Sequence, residues 1–327
     1  MRELRHVLVT GGAGFLGTHL CARLLAAGSH VVCVDNLATS WPPTAKRLRG
    51  RAGLDFVEAD IADAPDDPRL LGPFDVVFHL ASPASPPDYL RLPLETLRAG
   101  AQGTAAALDI AERSRARFVL ASTSEVYGDP QVHPQPESYW GHVNPVGPRS
   151  VYDEAKRFAE ALTFAHRRSR GTDIAIARIF NSYGPGMRPD DGRMVPTFCC
   201  QALRDEPITV AGTGEQTRSL CHVSDTVAGL LALAAADITG PVNIGNPIEF
   251  TVLRVAELIR EHAGSDSPIR LIPAGTDDPQ RRCPVIDLAA EELNWEPKVD
   301  PAQGLRETVQ WFRDELSAAA AGLTRAV

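Results

Sequence analysis

The sequence predicts an α/β protein, a doubly wound parallel sheet joined to a smaller mixed α/β lobe. Three observations predict it. Short, continuously apolar runs alternate with helical stretches over the first 180 residues, the pattern of parallel strands covered on both faces. A glycine-rich turn follows the first of these runs directly. Beyond residue 181 the alternation gives way to shorter, mixed segments.

His6-Val7-Leu8-Val9-Thr10 is the first strand. It runs into Gly11-Gly12-Ala13-Gly14-Phe15-Leu16-Gly17, and a helix follows with Leu16, Leu20 and Leu24 on one face. Glycines here permit a tight turn and close approach of a pyrophosphate, while the helix N-terminus offers amide donors and a positive dipole end. Val31-Val32-Cys33-Val34-Asp35 is a second strand ending in an acid. In a Rossmann-type fold Asp35, followed by Asn36, lies where a carboxylate meets the adenosine ribose hydroxyls. Its charge repels a 2′-phosphate, so NAD is expected rather than NADP. Gly11, Gly14, Phe15, Leu16, Gly17, Asp35 and Asn36 are therefore candidate cofactor contacts.

Further strands are expected at 54–60, 75–81 and 117–121. Asp60-Ile61 closes the third strand within reach of an adenine, although a plain loop acid fits the same pattern. Leu80 and Ala81 close the fourth at the cofactor edge. From Ala81 to Pro87 the chain is so rich in proline that a loop is expected, at the carboxyl edge where ligands bind.

Ser122-Thr123-Ser124-Glu125 follows the fifth strand, and Tyr152-Asp153-Glu154-Ala155-Lys156 lies in the next helix. Tyr152 and Lys156, four apart, share a helix face. An ammonium beside a phenol favours the phenolate, so the Tyr152 pKa is expected to fall from about 10. Thr123 or Ser124 could share that proton. Such a group takes a proton from a sugar hydroxyl while hydride leaves the carbon.

A strand at 173–180 completes the first unit. Helices near 194–204, 224–236 and 251–263 and strands at 208–210, 220–223 and 242–245 make up the rest. The NAD-binding domain is assigned to 1–180 with return segments near 220–246. The substrate-binding lobe takes 181–219 and 247–315, and 316–327, with Ala318 to Ala321, is read as a flexible tail.

Of the 327 residues, 44% are hydrophobic and 23% charged, and the net charge is −8 with no basic tract. That argues against nucleic acid as a partner. No run approaches the roughly 20 apolar residues of a membrane span. Met1-Arg2-Glu3-Leu4-Arg5 enters the first strand without a signal peptide, so the cytoplasm is expected. Cys21, Cys33, Cys199, Cys200, Cys221 and Cys283 show no ligand spacing, and no metal is expected.

Several segments resemble the extended short-chain dehydrogenase/reductase family of nucleotide-sugar enzymes, and within it the UDP-glucuronate decarboxylases. They are His79-Leu80-Ala81-Ser82-Pro83-Ala84-Ser85-Pro86-Pro87, the stretch from Ala121 to Pro130, and His133-Pro134-Gln135. Tyr139-Trp140-Gly141-His142-Val143-Asn144-Pro145, Gly147-Pro148-Arg149, Gln216-Thr217-Arg218-Ser219 and Asp278-Pro279-Gln280-Arg281-Arg282 complete the set. The resemblance implies that Tyr152 deprotonates the 4-hydroxyl of UDP-glucuronate as NAD takes the C4 hydride. Carbon dioxide then leaves from C6, C5 is reprotonated, and returned hydride gives UDP-xylose. Thr123, Ser124, Glu125, Tyr152, Lys156 and Arg282 are the implied catalytic set, with Glu125 and Arg282 acting around reprotonation. Pro86, Glu125, Asn181, Arg193, Arg218 and Arg282 are implied substrate contacts, though a turn asparagine or surface arginines fit the sequence too. The family also implies a homodimer through helices at 101–114 and 150–168, forming a four-helix bundle.

The chain departs from the family pattern at Arg91-Leu92, Glu95, Gly100, Gly186, Ala211, His222, Cys283 and Val285. Gly100 is expected to loosen its helix, His222 to be a packed strand residue, and some UDP-4-ketoxylose to escape before hydride returns. A nucleotide-sugar 4-epimerase, a 4,6-dehydratase and a non-catalytic NAD-binding protein remain alternatives. The dehydratase needs an Asp-Glu pair where this chain has Ser124-Glu125.

Overall fold

The structure, a computed structural model, describes residues 4–64, 66–275 and 279–320. The first half runs β1 (His6–Thr10), α1 (Phe15–Ala26), β2 (His30–Asp35), α2 (Pro42–Leu48), β3 (Leu54–Glu58) and β4 (Val76–His79). It continues through α3 (Pro86–Arg91), α4 (Pro93–Arg98), α5 (Thr104–Ser114), β5 (Arg117–Thr123), α6 (Ser150–Arg170) and β6 (Ile174–Ile179). A π-type turn, Ala99–Gly103, joins α4 to α5.

The second half supplies β7 (Ser182–Tyr183), α7 (Met194–Leu203), β8 (Ile208–Ala211), β9 (Thr217–Ser219), β10 (Cys221–His222) and α8 (Val223–Ala235). Then come β11 (Val242–Ile244), β12 (Glu249–Thr251), α9 (Val252–Ala263), β13 (Ile269–Ile272), β14 (Arg281–Arg282), α10 (Asp287–Leu293) and α11 (Pro301–Ala320).

Seven strands form one sheet in the order β11-β6-β5-β4-β1-β2-β3, every pair parallel. Period-two alternation sends Val7 and Val9 to one face and Leu8 to the other, and both faces are buried. Leu20, Leu24 and Leu230 cover the first face, while Leu108 and Ile110 cover the second. The strand order reverses between β1 and β4. This leaves a crevice beyond their carboxyl ends, where ligands bind in such sheets.

A separate core of Phe198, Ile208, Val210, Val255, Ile259, Leu305 and Phe312 is built from α7, β8, α9 and α11. Its small sheets pair β8 with β13 in parallel, and set β9 between β12 and β14.

Two local expectations change. The proline-rich loop ends at Ser85, because Pro86 and Pro87 occupy the first turn of α3, where a missing N–H costs no helix bond. Residues 316–320 continue α11 instead of forming a tail. Positions 1–3, Asp278 and 321–327 lie outside the described residues.

A buried polar network fixes the carboxyl end of β5. Ser122 donates to Glu160 Oε1 at 2.6 Å, and Arg178 donates to both Glu160 oxygens at 3.0 and 2.8 Å. Arg178 also donates to the Tyr127 hydroxyl, which donates onward to Asn243 Oδ1 at 2.8 Å. Four elements are thus tied behind the turn carrying Glu125. Removing Arg178 would strand a buried carboxylate. Arg178→Met is expected to lower unfolding free energy by roughly 3–5 kcal/mol, read from the urea midpoint at unchanged m-value.

Candidate active site

The glycine turn explains itself sterically. Gly11 has φ +69°, and a Cβ there would lie 2.7 Å from the Ala81 nitrogen. A Cβ on Gly17 would meet the Gly11 carbonyl oxygen at 2.3 Å, so only glycine lets α1 sit this close to β1. Asp35 Oδ2 accepts from the Ala13 N–H at 2.9 Å, and Oδ1 accepts from the Leu37 N–H and the Ser40 hydroxyl. Burial raises its pKa, and those three hydrogen bonds pull it back. A carboxylate has about four acceptor positions, so one remains for a ribose hydroxyl. The N-terminus of α1 and this acid suit NAD chemically. Asn36 donates to Asp60 Oδ2 at 3.0 Å, joining the ends of β2 and β3 at the same edge, and Ile61 is buried behind them.

The chemistry-bearing residues meet at the end of β5. Thr123 caps the short turn after it by accepting from the Glu125 N–H. Glu125 is therefore free of capping and faces two guanidiniums. Arg149 donates to Oε2 at 2.6 Å, and Arg282 bonds both oxygens, the Oε2 contact at 3.0 Å. Burial alone would raise the Glu125 pKa, but the two cations outweigh it and hold the carboxyl at about 2.

Tyr152 and Lys156 do project from one face of α6, with the ammonium 5.8 Å from the phenol ring centre. The expected lowering of the Tyr152 pKa is not what this arrangement produces. Burial and the Glu125 charge push the phenol up, against a smaller downward pull from a Thr123 hydrogen bond. Lys156 instead donates to the Ala121 carbonyl at 2.9 Å. Burial brings its own pKa down to about 8.

All these groups line one cavity of about 730 Å³. Gly11, Gly14, Phe15, Leu16, Gly17, Asp35, Asn36, Asp60, Ile61, Leu80 and Ala81, the expected cofactor contacts, line it. Thr123, Ser124, Glu125, Tyr152, Lys156 and Arg282 stand at its centre, and Pro86, Asn181, Arg193 and Arg218 line the remainder. The Asn181 amide nitrogen is buried with no hydrogen-bond partner among the described residues, in a residue that lines the cavity. Arg193 is held by Asp191 through two nitrogens at 2.5 and 2.8 Å.

Residues 7–245 match the NAD dependent epimerase/dehydratase family. The chain belongs to that family. It is 45% identical over 315 residues to UDP-glucuronic acid decarboxylase 1 of Xenopus tropicalis, spanning 96% of this chain and 74% of the relative. It is 47% identical over 308 residues to UDP-glucuronic acid decarboxylase 6 of Arabidopsis thaliana, spanning 94% and 88%. Among solved structures, the Thermotoga maritima UDP-glucose 4-epimerase with UDP-glucose superposes with a TM-score of 0.88. Its identity is 30%, over 95% of this chain and 99% of that one. The Bacillus cereus UDP-glucuronic acid 4-epimerase, in complex with UDP-glucuronic acid and NAD, gives 0.85 at 27% identity over 94% and 99%.

Within this family member, several contributors escaped sequence reasoning. Arg149 was visible only as part of a matching segment, and its grip on Glu125 depends on the fold. Tyr89 stacks on Tyr152 with ring centres 5.2 Å apart and planes 9° apart, walling the phenol from solvent. Arg188 donates to the Thr39 carbonyl and to Asp88, both at 2.7 Å, and so joins the cofactor loop to α3. Of the departures, Leu92, Glu95, Gly186 and Ala211 line the cavity. His222 is buried beside it at the N-terminus of α8, its Nδ1 paired with the Ser224 hydroxyl. Gly100 is tightly packed, since a Cβ there would meet Ala155 Cβ at 2.7 Å, and the chain takes its π-type turn at this position.

The Glu125 clamp makes a pH prediction. A carboxyl held at about 2 but free to titrate near 4.5 when unfolded stabilises the fold above pH 4.5 and loses that contribution as pH falls toward 2. The gap in unfolding free energy between wild type and Glu125→Gln is therefore expected to shrink from pH 5 to pH 3, measured by denaturant titration.

Proposed function

We propose that the protein decarboxylates UDP-glucuronate through a 4-keto intermediate to UDP-xylose, using NAD. The observation that carries this reading is the buried Glu125–Arg282 pair beside Tyr152 in the cavity, in a chain 45–47% identical to UDP-glucuronic acid decarboxylases. A 4-epimerase needs the tyrosine and lysine but has no use for this pair.

NAD, when bound, supplies the hydride acceptor and returns the hydride at the end of the cycle. Gly11, Gly14, Phe15, Leu16, Gly17, Asp35, Asn36, Asp60, Ile61, Leu80 and Ala81 would hold it along the cofactor side. Tyr152, once ionised to the phenolate, takes the proton of the sugar 4-hydroxyl. Lys156, with a pKa of about 8, is mostly charged at pH 7 and offers the positive charge that a phenol losing its proton requires. Ser124 is buried, and Thr123 and Ser124 present hydroxyls where charge develops on the enolate left by carbon dioxide. Asn181, Arg193 and Arg218, which line the cavity, would meet the sugar and diphosphate, for which guanidinium forks are suited. The arrangement supports a sugar nucleotide as the partner, with the uridine base taken from the relatives' names.

The same reading makes the protein a cytoplasmic homodimer. All six cysteines are free and buried, which suits a reducing compartment. No helix among the described residues is long and apolar enough to cross a membrane. Leu90, Leu94 and Leu97 on α3 and α4 and Phe158 on α6 are exposed, Leu94 by 75%. An apolar face on helices is the surface a four-helix bundle would cover.

Incubation with UDP-glucuronate and NAD, followed by mass spectrometry of the nucleotide sugars, is expected to show loss of carbon dioxide. The same spectrum gives the ratio of UDP-xylose to UDP-4-ketoxylose. Unchanged UDP-glucuronate with NAD bound would overturn the reading. Tyr152→Phe is expected to lower turnover by more than about a hundredfold while NAD remains bound. For the assembly, Leu94→Asp with Phe158→Asp is expected to move the mass in light scattering from twice the 35.2 kDa chain to one.

A further inference from the structure

Behind the wall formed by Glu125 lies a second cavity of about 640 Å³. It shares Glu125, Arg149, Gln216 and Gly275 with the first. Asp153, next to Tyr152 in the first turn of α6, lines the second cavity and not the first. Its side chain is buried, and its Oδ1 has no hydrogen-bond partner among the described residues.

The decarboxylation proposed above leaves a carbanion at C5 that must gain a proton. Tyr152 is not its source, because the proton it took from the 4-hydroxyl must return to that oxygen when C4 is reduced. Glu125, held at about 2, has no proton to give at neutral pH. We infer that Asp153 is the proton reservoir for this step, feeding C5 through water in the second cavity that passes beside Glu125. The inference rests on the decarboxylase reading.

Electrostatics support the assignment. Two carboxylates stand beside one pair of guanidiniums, and Glu125 is the one that bonds both Arg149 and Arg282. Like charges at one site disfavour double ionisation, so the member left without those bonds keeps its proton. Burial first, then the Glu125 charge, lifts Asp153 to about 7, against the lowering effect of Arg149 and Arg282. Glu154 adds to the rise, and the α6 dipole opposes it. Tyr89 and Tyr152 are its other titratable neighbours, and Asp129 and His142 line the same cavity. The proton count closes. A water O–H breaks as C5–H forms, that O–H is remade from the Asp153 carboxyl, and Asp153 is reloaded from solvent. The pair left on C5 as the C5–C6 bond broke forms the new C5–H bond, so the proton replaces the carbon dioxide that left and the step needs no oxidant or reductant.

Asp153 acts through water, so it is a positioning residue for the proton and not a group touching the substrate. The test compares wild type, Asp153→Asn and Asp153→Glu in pH–rate profiles of UDP-xylose formation, with NAD and UDP affinities measured alongside. Wild-type kcat is expected to fall above about pH 7 as Asp153 deprotonates. Asp153→Asn is expected to lose that limb and at least about tenfold in kcat at pH 7, with both affinities unchanged. Asp153→Glu is expected to restore the limb. An Asp153→Asn profile with the wild-type limb, or a rate loss that Asp153→Glu does not reverse, overturns the role of Asp153. A wild type that releases no carbon dioxide overturns the decarboxylase reading itself.

Discussion

The site depends on one buried carboxylate. Glu125 sits on the turn after β5, Arg149 just before α6 and Arg282 on β14. A carboxylate and a guanidinium removed from water each lose several kcal/mol of hydration, recovered only if the partners meet in good geometry. Arg282 is almost fully buried and has that geometry through both Glu125 oxygens. Because β14 pairs with β9, seating Arg282 also sets Thr217 and Arg218 in register. Gln135 reinforces the joint, its backbone and side chain pairing with Cys283 at 2.8 and 2.9 Å. The substrate side of the cavity is thus hung on the cofactor side through a charge that must stay ionised.

This dependence explains what was legible in the sequence and what was not. The parallel sheet could be read directly, since each strand's apolar run and the glycine turn answer to local sterics and to burial on both faces. Tyr152 and Lys156 could be paired because helical spacing is local. The direction of the phenol's pKa could not. It is set by depth, under the stacked ring of Tyr89 from α3, and by the charge of Glu125 on the turn after β5, and the lysine's proton is turned toward Ala121, 35 positions away. Arg149 was hidden for the same reason, because an arginine before a helix has no special pattern until Glu125 is folded against it. The tail assignment failed differently: a run of alanines extends α11 as readily as it frays.

Five of the family departures fall into two physical groups. His222 and Cys283 are buried beside the cavity and act on packing. Glu95, Gly186 and Ala211 line the cavity, where a lost or added side chain changes the volume and charge a sugar nucleotide meets.

Gly100 belongs to neither group, and it bears on whether the ketone is held. The π-type turn presses its backbone against Ala155, which lies between Tyr152 and Lys156 on α6. Any side chain at 100 would have to push α6 outward by an appreciable fraction of an ångström, and both reactive groups would move with it. Proton and hydride transfers tolerate little such displacement. The glycine therefore sets the depth of the tyrosine and lysine. Leu92, Glu95, Gly186 and Ala211 act differently, since they stand at the cavity wall and change the space and charge there and not the position of α6.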